Sequence, residues 1–263
     1  MRINVNQIRE MKLKGEKIAM LTAYDYSTAK IVDEVGIPLI LVGDSLGTVV
    51  LGYESTIPVT MAEMLHHTKA VVRGSKKALI IGDMPFMTYH LSVEQALRNA
   101  ARFLQEAGCQ AVKLEGGAEY GDVVARIVRA GVPVMGHIGL TPQSVNALGG
   151  YKVQGKTDDA AQRVIADAKA LEAAGAVMIV LEAIPPDVAE RVTTQVSVPT
   201  IGIGAGAACD GQVLVLHDML GVFPGHRPKF VRNFMEGETS VQAAITAYVQ
   251  AVKSAQFPAP EHC

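Results

Sequence analysis

Three acidic residues recur at the same place in a repeating pattern: Asp44, Asp83 and Glu115 each finish a short apolar run. A fourth, Glu182, finishes a later one. If the first three runs are neighbouring strands they lie ~4.8 Å apart, and their carboxylates converge. Carboxylates that close repel unless a cation neutralises them or a proton is shared. The set is all oxygen, with no Cys-x-x-Cys and no His-x-x-x-His, which predicts a hard ion, Mg2+ rather than Zn2+. An isolated Asp after a strand is commonly a helix cap or turn residue. Recurrence in three consecutive units argues for a site.

Lys113 lies two residues before Glu115 on the same run, so the two share a face. A lysine pointing inward needs an anion, either Glu115 or the carboxylate of a substrate. His137 ends another run and fits a metal ligand, an acid or base, or a core histidine. Tyr24, Ser45 and the pair His217-Asp218 also sit at run ends. His66, His67 and His90 read as surface or capping residues, and His226 and His262 carry no local signal. Gly202-Ile203-Gly204-Ala205-Gly206 lacks the Gly-x-Gly-x-x-Gly spacing of a dinucleotide site. It reads instead as a close approach of backbone to a ligand, or as a tight turn. The segment Leu140–Thr157 is long for a strand-to-helix loop and suggests a lid or binding loop.

The elements that must position these groups alternate. Strands are expected at Ile18–Tyr24, Leu39–Asp44, Ala78–Asp83, Ala111–Glu115, Val132–His137, Val177–Glu182, Val198–Gly204 and Val213–His217. Their near-continuous Val, Ile and Leu content suits parallel strands covered on both faces. Between them Ser92–Ala107 and Asp158–Ala174 read as amphipathic helices, the first with a Ser92/Gln95 capping box, each ended by glycine. Asn4–Met11 predicts an extra helix before the first strand, and Val241–Ser254 a closing one. The spacing Gly108 to Glu115 repeats as Gly175 to Glu182. Eight strand–helix units in 263 residues predict one (β/α)8 TIM barrel spanning residues 1–263, with a doubly wound open sheet as the alternative. In such a barrel the catalytic groups gather at the C-terminal ends of the strands.

Composition excludes other classes. Charged residues are 19% of the chain, the net charge is −2, and no basic block stands out, which argues against nucleic acid. No apolar run is long enough to span a bilayer, and the N-terminal twenty residues lack a signal-peptide core. Cys109, Cys209 and Cys263 are widely spaced and odd in number, which predicts reduced thiols and a cytoplasmic location.

Several strings resemble the ketopantoate hydroxymethyltransferase family: Thr22–Ser27, Leu41–Gly47, Lys113–Gly117, Gly136–Asn146, Gly149–Gly155, Gly202–Gly206 and His217-Asp218. The resemblance implies a barrel of the phosphoenolpyruvate/pyruvate type, dependent on Mg2+, acting on an oxo acid with 5,10-methylenetetrahydrofolate as co-substrate. It also implies a cytoplasmic homo-oligomer, a decamer of two stacked pentamers. Carried over by position, Asp44, Asp83 and Glu115 match the metal site. Asp44, Ser45, Asp83 and Lys113 match the oxo-acid contacts, with His137 helping to line the pocket, and Glu182 matches the catalytic base that forms an enolate. Two other readings stand beside it: a Mg2+-dependent lyase of the phosphoenolpyruvate mutase and isocitrate lyase type, and a non-catalytic ligand-sensing barrel.

Overall fold

The strands carry apolar residues at both parities because each is covered on both sides. In the computed structural model, which describes residues 2–263, eight parallel strands run β1 Ile18–Thr22, β2 Leu39–Val42, β3 Leu79–Asp83, β4 Ala111–Glu115, β5 Val134–Gly139, β6 Met178–Glu182, β7 Thr200–Ile203 and β8 Gly211–Leu214. Pairing of β1 with β8 closes the sheet into a barrel and eliminates the open-sheet alternative. One parity (Met20, Leu39, Leu41, Ile81, Met135, Met178, Val180, Ile201) fills the interior. The other (Leu21, Ile40, Val42, Ile80, Val112, Leu114, Ile179, Leu181) packs under the helices. Alternation is therefore inside against outside, both dry.

The expected N-terminal helix is present as Val5–Leu13, capped by Asn4 with Gln7 completing the box. Its Ile8 is fully buried against the interior layer and plugs the N-terminal end of the barrel. Lys12 fixes it there, donating to the carbonyls of Thr193, Val196 and Val198 and pairing with Asp210 at 2.9 Å.

Three local expectations are corrected. The helix after Ser92 is α-helical only over Val93–Arg102 and finishes as a π turn, Phe103–Ala107. Its capping box is half formed: Ser92 accepts from the Gln95 N–H, but the Gln95 side chain accepts from Leu91 instead. The last strand is Gly211–Leu214, not Val213–His217. A Cβ on Gly211 would lie 2.3 Å from the Ile18 carbonyl oxygen, so only glycine allows the closing strand to approach. The chain then turns at Leu216, whose N–H donates to Thr22 Oγ1, and His217 and Asp218 fall in the short helix Leu216–Met219.

The entry to β3 hangs on Asp33. Its carboxylate accepts from Ser75 Oγ at 2.6 Å and from the N–H groups of Lys76, Lys77 and Ala78. Burial alone would raise its pKa, but these donors outweigh burial and lower it. Such a carboxylate stabilises the fold above its unfolded pKa and ceases to as pH falls through the depressed folded value. Asp33→Ala should cost ~3 kcal/mol in urea denaturation by stranding buried donors, and the gap from the parent should narrow in acid. An unchanged midpoint would contradict this anchoring role.

Candidate active site

The parity that fills the interior turns polar at the C-terminal end of the barrel. Thr22, Asp83, Lys113, Glu115, His137 and Glu182 all continue the inward series, and Asp44 and Ser45 follow β2 directly. A cavity of about 690 Å³ opens there, and it takes in all seven predicted site residues: Asp44, Ser45, Asp83, Lys113, Glu115, His137 and Glu182. Register brings them together. Asp83 pairs with Lys113 across β3 and β4, and Glu115 with His137 across β4 and β5.

Lys113 Nζ lies 3.0 Å from Asp83 Oδ2 and 3.1 Å from Glu115 Oε1, with all three side chains almost wholly buried. Asp83 Oδ2 also accepts the Asp44 N–H at 3.1 Å. The second clamp is Gln143, a residue that the sequence did not single out. Its Nε2 donates to Asp44 Oδ2 at 2.8 Å and to the Met84 carbonyl at 3.0 Å. Its backbone N–H donates to Glu115 Oε2 at 3.0 Å, and its Oε1 accepts from the Tyr89 hydroxyl at 2.8 Å. One loop glutamine thus orients two carboxylates that belong to different strands. Its sequence signals were its place in the long Leu140–Thr157 loop and in the Gly136–Asn146 string of the resemblance.

Three carboxylates face one buried ammonium, an excess of two negative charges. Burial pushes the pKa of Asp83 and Glu115 up, partly opposed by Lys113 and reinforced by Asp44. Burial alone would lower Lys113, but Asp83 and Glu115 prevail and hold it well above its ordinary value. The ammonium therefore stays charged, and the surplus negative charge calls for a proton or a further cation. Asp83 Oδ1 is buried with no hydrogen-bond partner, as a ligand atom would be. Among the described residues no three Asp, Glu, His or Cys side chains form a coordination group, and Glu115 is engaged by Lys113 and Gln143. The residues nevertheless fit a magnesium ion, which takes one or two carboxylates and completes its shell with water or substrate.

Glu182 stands apart from that cluster. His137 Nε2 is 3.1 Å from Glu182 Oε2, and its Nδ1 is 3.5 Å from Glu115 Oε1, though neither contact has the alignment of a hydrogen bond. Burial, then Lys113, pushes His137 down to about 4, so the ring is neutral. Burial raises Glu182 to about 8 despite Lys113. Such a carboxylate is a far stronger base than an ordinary one. The following residue, Ala183, is held at φ 45°, a strained value for a non-glycine residue. Leu140 N–H donates to the Glu182 carbonyl and Gln154 N–H to that of Ala183, so the long loop braces the end of β6. Tyr151 and Val153 of that loop line the cavity, as a binding loop would.

Ser45 Oγ is 2.8 Å from the Tyr24 hydroxyl, and the Tyr24 carbonyl accepts from His67 Nδ1 at 2.6 Å. His67 is therefore a brace and not a surface group, while His66 is exposed. His90 is half-buried, with its ring against Tyr89 and Tyr120. The glycine run is filled by the protein itself: Cβ atoms on Gly202, Gly204 and Gly206 would meet Cys209, Phe230 and Pro186. Cys109 and Cys209 are buried free thiols outside the cavity lining, and burial raises both to about 12. Among the described residues, no helix is long and apolar enough to cross a membrane.

Comparisons with solved structures find the same barrel. A putative phosphonomutase from Burkholderia cenocepacia J2315 superposes with a TM-score of 0.64 at 16% identity, covering 83% of this chain and 95% of that one. A phosphonopyruvate hydrolase solved with oxalate and Mg++ gives 0.64 at 15% identity, covering 97% of each chain. These likenesses show the fold alone. Sequence relatives go further. The 3-methyl-2-oxobutanoate hydroxymethyltransferase of Carboxydothermus hydrogenoformans is 59% identical over 99% of this chain and 95% of its own length. That of Dehalococcoides mccartyi strain CBDB1 is 62% identical over 98% and 92%. With the pattern of the ketopantoate hydroxymethyltransferases matching residues 2–260 and the cavity holding every site residue that the resemblance implied, the chain belongs to that transferase family.

Proposed function

We propose that this enzyme transfers a hydroxymethyl group from 5,10-methylenetetrahydrofolate to 3-methyl-2-oxobutanoate, yielding ketopantoate and tetrahydrofolate, with water supplying the hydroxyl. The observation that carries the reading is the pairing, in one cavity, of a cation-seeking carboxylate cluster with a separate, largely buried carboxylate of raised pKa. Asp44 and Asp83 would hold a magnesium ion, with Glu115 held just behind by Lys113 and Gln143. When bound, the ion supplies positive charge that polarises the oxo acid and acidifies its C3–H. A phosphonopyruvate hydrolase of the same fold was solved in complex with oxalate and Mg++, which is in keeping with a magnesium ion in a barrel of this kind.

The chain's own groups do the rest. Lys113 and Ser45 hold the carboxylate of the oxo acid at the cluster end. Glu182 takes the C3 proton onto a carboxylate oxygen. Water opens the methylene bridge, releasing its carbon from both folate nitrogens at the oxidation level of formaldehyde and leaving tetrahydrofolate; the enolate carbon adds to that carbon, which keeps the water's oxygen as the new hydroxyl. Neutral His137, packed against Glu182 Oε2, keeps that carboxylate in place without a counter-charge that would weaken it as a base. A lyase of the phosphoenolpyruvate mutase type would share the cluster, but those lyases typically carry a cysteine-containing catalytic loop, and among the described residues no cysteine lines the cavity. We further propose that the enzyme works in the cytoplasm as a homo-oligomer, a decamer of two stacked pentamers. Exposed Leu13, Leu91 and Val222 give it apolar surface to cover.

Proton NMR in D2O tests the reading. With Mg2+, the C3–H signal of 3-methyl-2-oxobutanoate should disappear, and adding 5,10-methylenetetrahydrofolate should produce the hydroxymethylated acid. Protein that binds Mg2+ yet gives neither exchange nor product would overturn the transferase reading, and binding of the oxo acid without turnover would point to a sensor. The exchange rate should also climb with pH across the neutral range, reach half its maximum near pH 8 and level off above it, since only ionised Glu182 accepts a proton and burial holds its pKa up to about 8. A rate independent of pH over that range would remove Glu182 as the titrating base.

A further inference from the structure

The cavity is larger than a five-carbon oxo acid fills. Its volume of about 690 Å³ falls in the range of roughly 300–1,000 Å³ that accommodates a drug-sized ligand. Its walls divide by chemistry. The charged cluster occupies the side of β2 to β4. On the side of β7 and β8 the lining includes Ile203, Val213, Val215, Phe223 and Phe230, with His226 and Lys229 from the segment after β8, and Asp218 is the one carboxylate on that side.

Asp218 is half-buried, and among the described residues nothing donates a hydrogen bond to its carboxylate, with Arg227 its one nearby compensating charge. Burial lifts its pKa to about 6, so at neutral pH it is still mostly ionised and offers two acceptor oxygens. Phe230 is fixed from behind. Its ring lies where a Cβ on Gly204 would sit at 2.7 Å, and Gly204 has φ 62°. The glycine run therefore seats an aromatic face at the cavity wall and does not contact a ligand directly.

We propose that this outer chamber is the pterin subsite. The Asp218 carboxylate receives the paired N–H donors (the 2-amino group and N3–H) of the reduced pterin, and Phe230 supplies the face on which the ring lies. The assignment rests on the folate-dependent reading above. A planar aminopyrimidinone edge presents two parallel donors, which match a carboxylate as a guanidinium does. The position also suits the chemistry. Asp218 follows β8, only β7 separates that strand from β6, and Glu182 ends β6. A pterin held there brings its methylene carbon in from the apolar side of the barrel, opposite the cluster that grips the oxo acid.

The test is equilibrium binding of tetrahydrofolate, and of its 2-desamino-2-methyl analogue, to the full-length parent enzyme, Asp218→Asn and Asp218→Glu. The parent should prefer tetrahydrofolate over the analogue, and Asp218→Asn should lose about 10- to 100-fold in tetrahydrofolate affinity and most of that preference. Asp218→Glu keeps the two acceptors and should retain part of the preference, which separates a lost contact from a damaged fold. Parent-like tetrahydrofolate affinity and preference in Asp218→Asn would overturn the subsite while leaving folate dependence intact. A parent that binds no tetrahydrofolate at all, although it exchanges the oxo-acid proton, would instead overturn the folate reading beneath it.

Discussion

A lysine ammonium buried between two carboxylates is the constraint on which the rest of this structure depends. Lys113 projects into the barrel on the same parity that elsewhere carries Met135, Val180 and Ile81, where a charge without partners would be prohibitively costly. Asp83 is supplied by the register of β3 against β4, and Glu115 by the two-residue period of β4 itself. Adding Asp44 then overcompensates the ammonium. That surplus is what makes the cavity receptive to a further cation or a proton. A hydrophobic replacement of the cluster would give a more ordinary barrel interior with no such appetite.

Around that point the barrel divides its labour by strand. β2 to β4 carry charge and its compensation. β5 and β6 place a neutral histidine against a carboxylate whose basicity comes from burial and not from a partner. β7 and β8 present apolar and aromatic surface. Gln143 joins the first two regions, since the loop after β5 reaches back to Asp44 on the β2 side and to Glu115 on β4. Its four hydrogen bonds satisfy both polar atoms of its side chain and its backbone N–H, the condition for a buried amide to position and not destabilise.

Much of this was legible in the sequence because a parallel barrel writes its chemistry at fixed places. Strand ends were readable as the points where Val, Ile and Leu give way to Asp44, Asp83, Glu115, His137 and Glu182. β4 was placed to the residue because Gly108 stops the preceding helix and Lys113 and Glu115 share a parity. Contacts between distant segments were not legible. Gln143 looks like any loop glutamine until the fold carries it to Asp44, 99 positions away. His67 looks like a surface residue until the Tyr24 carbonyl is set beside it. The glycines at 202, 204 and 206 could be read either as an approach to a ligand or as a turn, because two of the side chains that crowd them, Phe230 and Pro186, come from elsewhere in the fold. The last strand shifted because its limits are set by Ile18 and Thr22 at the opposite end of the chain.

The central claim is that Glu182, made basic by burial, removes the C3 proton while the cluster on β2 to β4 holds the acid. The most direct measurement is Mg2+-dependent C3–H exchange in Glu182→Gln, made alongside the affinity of the same protein for 3-methyl-2-oxobutanoate. The account predicts affinity close to that of the parent enzyme and exchange slower by ~10²–10⁴-fold, the contribution expected of a positioned general base. Exchange at the parent rate in a variant that still binds the oxo acid would contradict it, and would move the base to another group in the cavity.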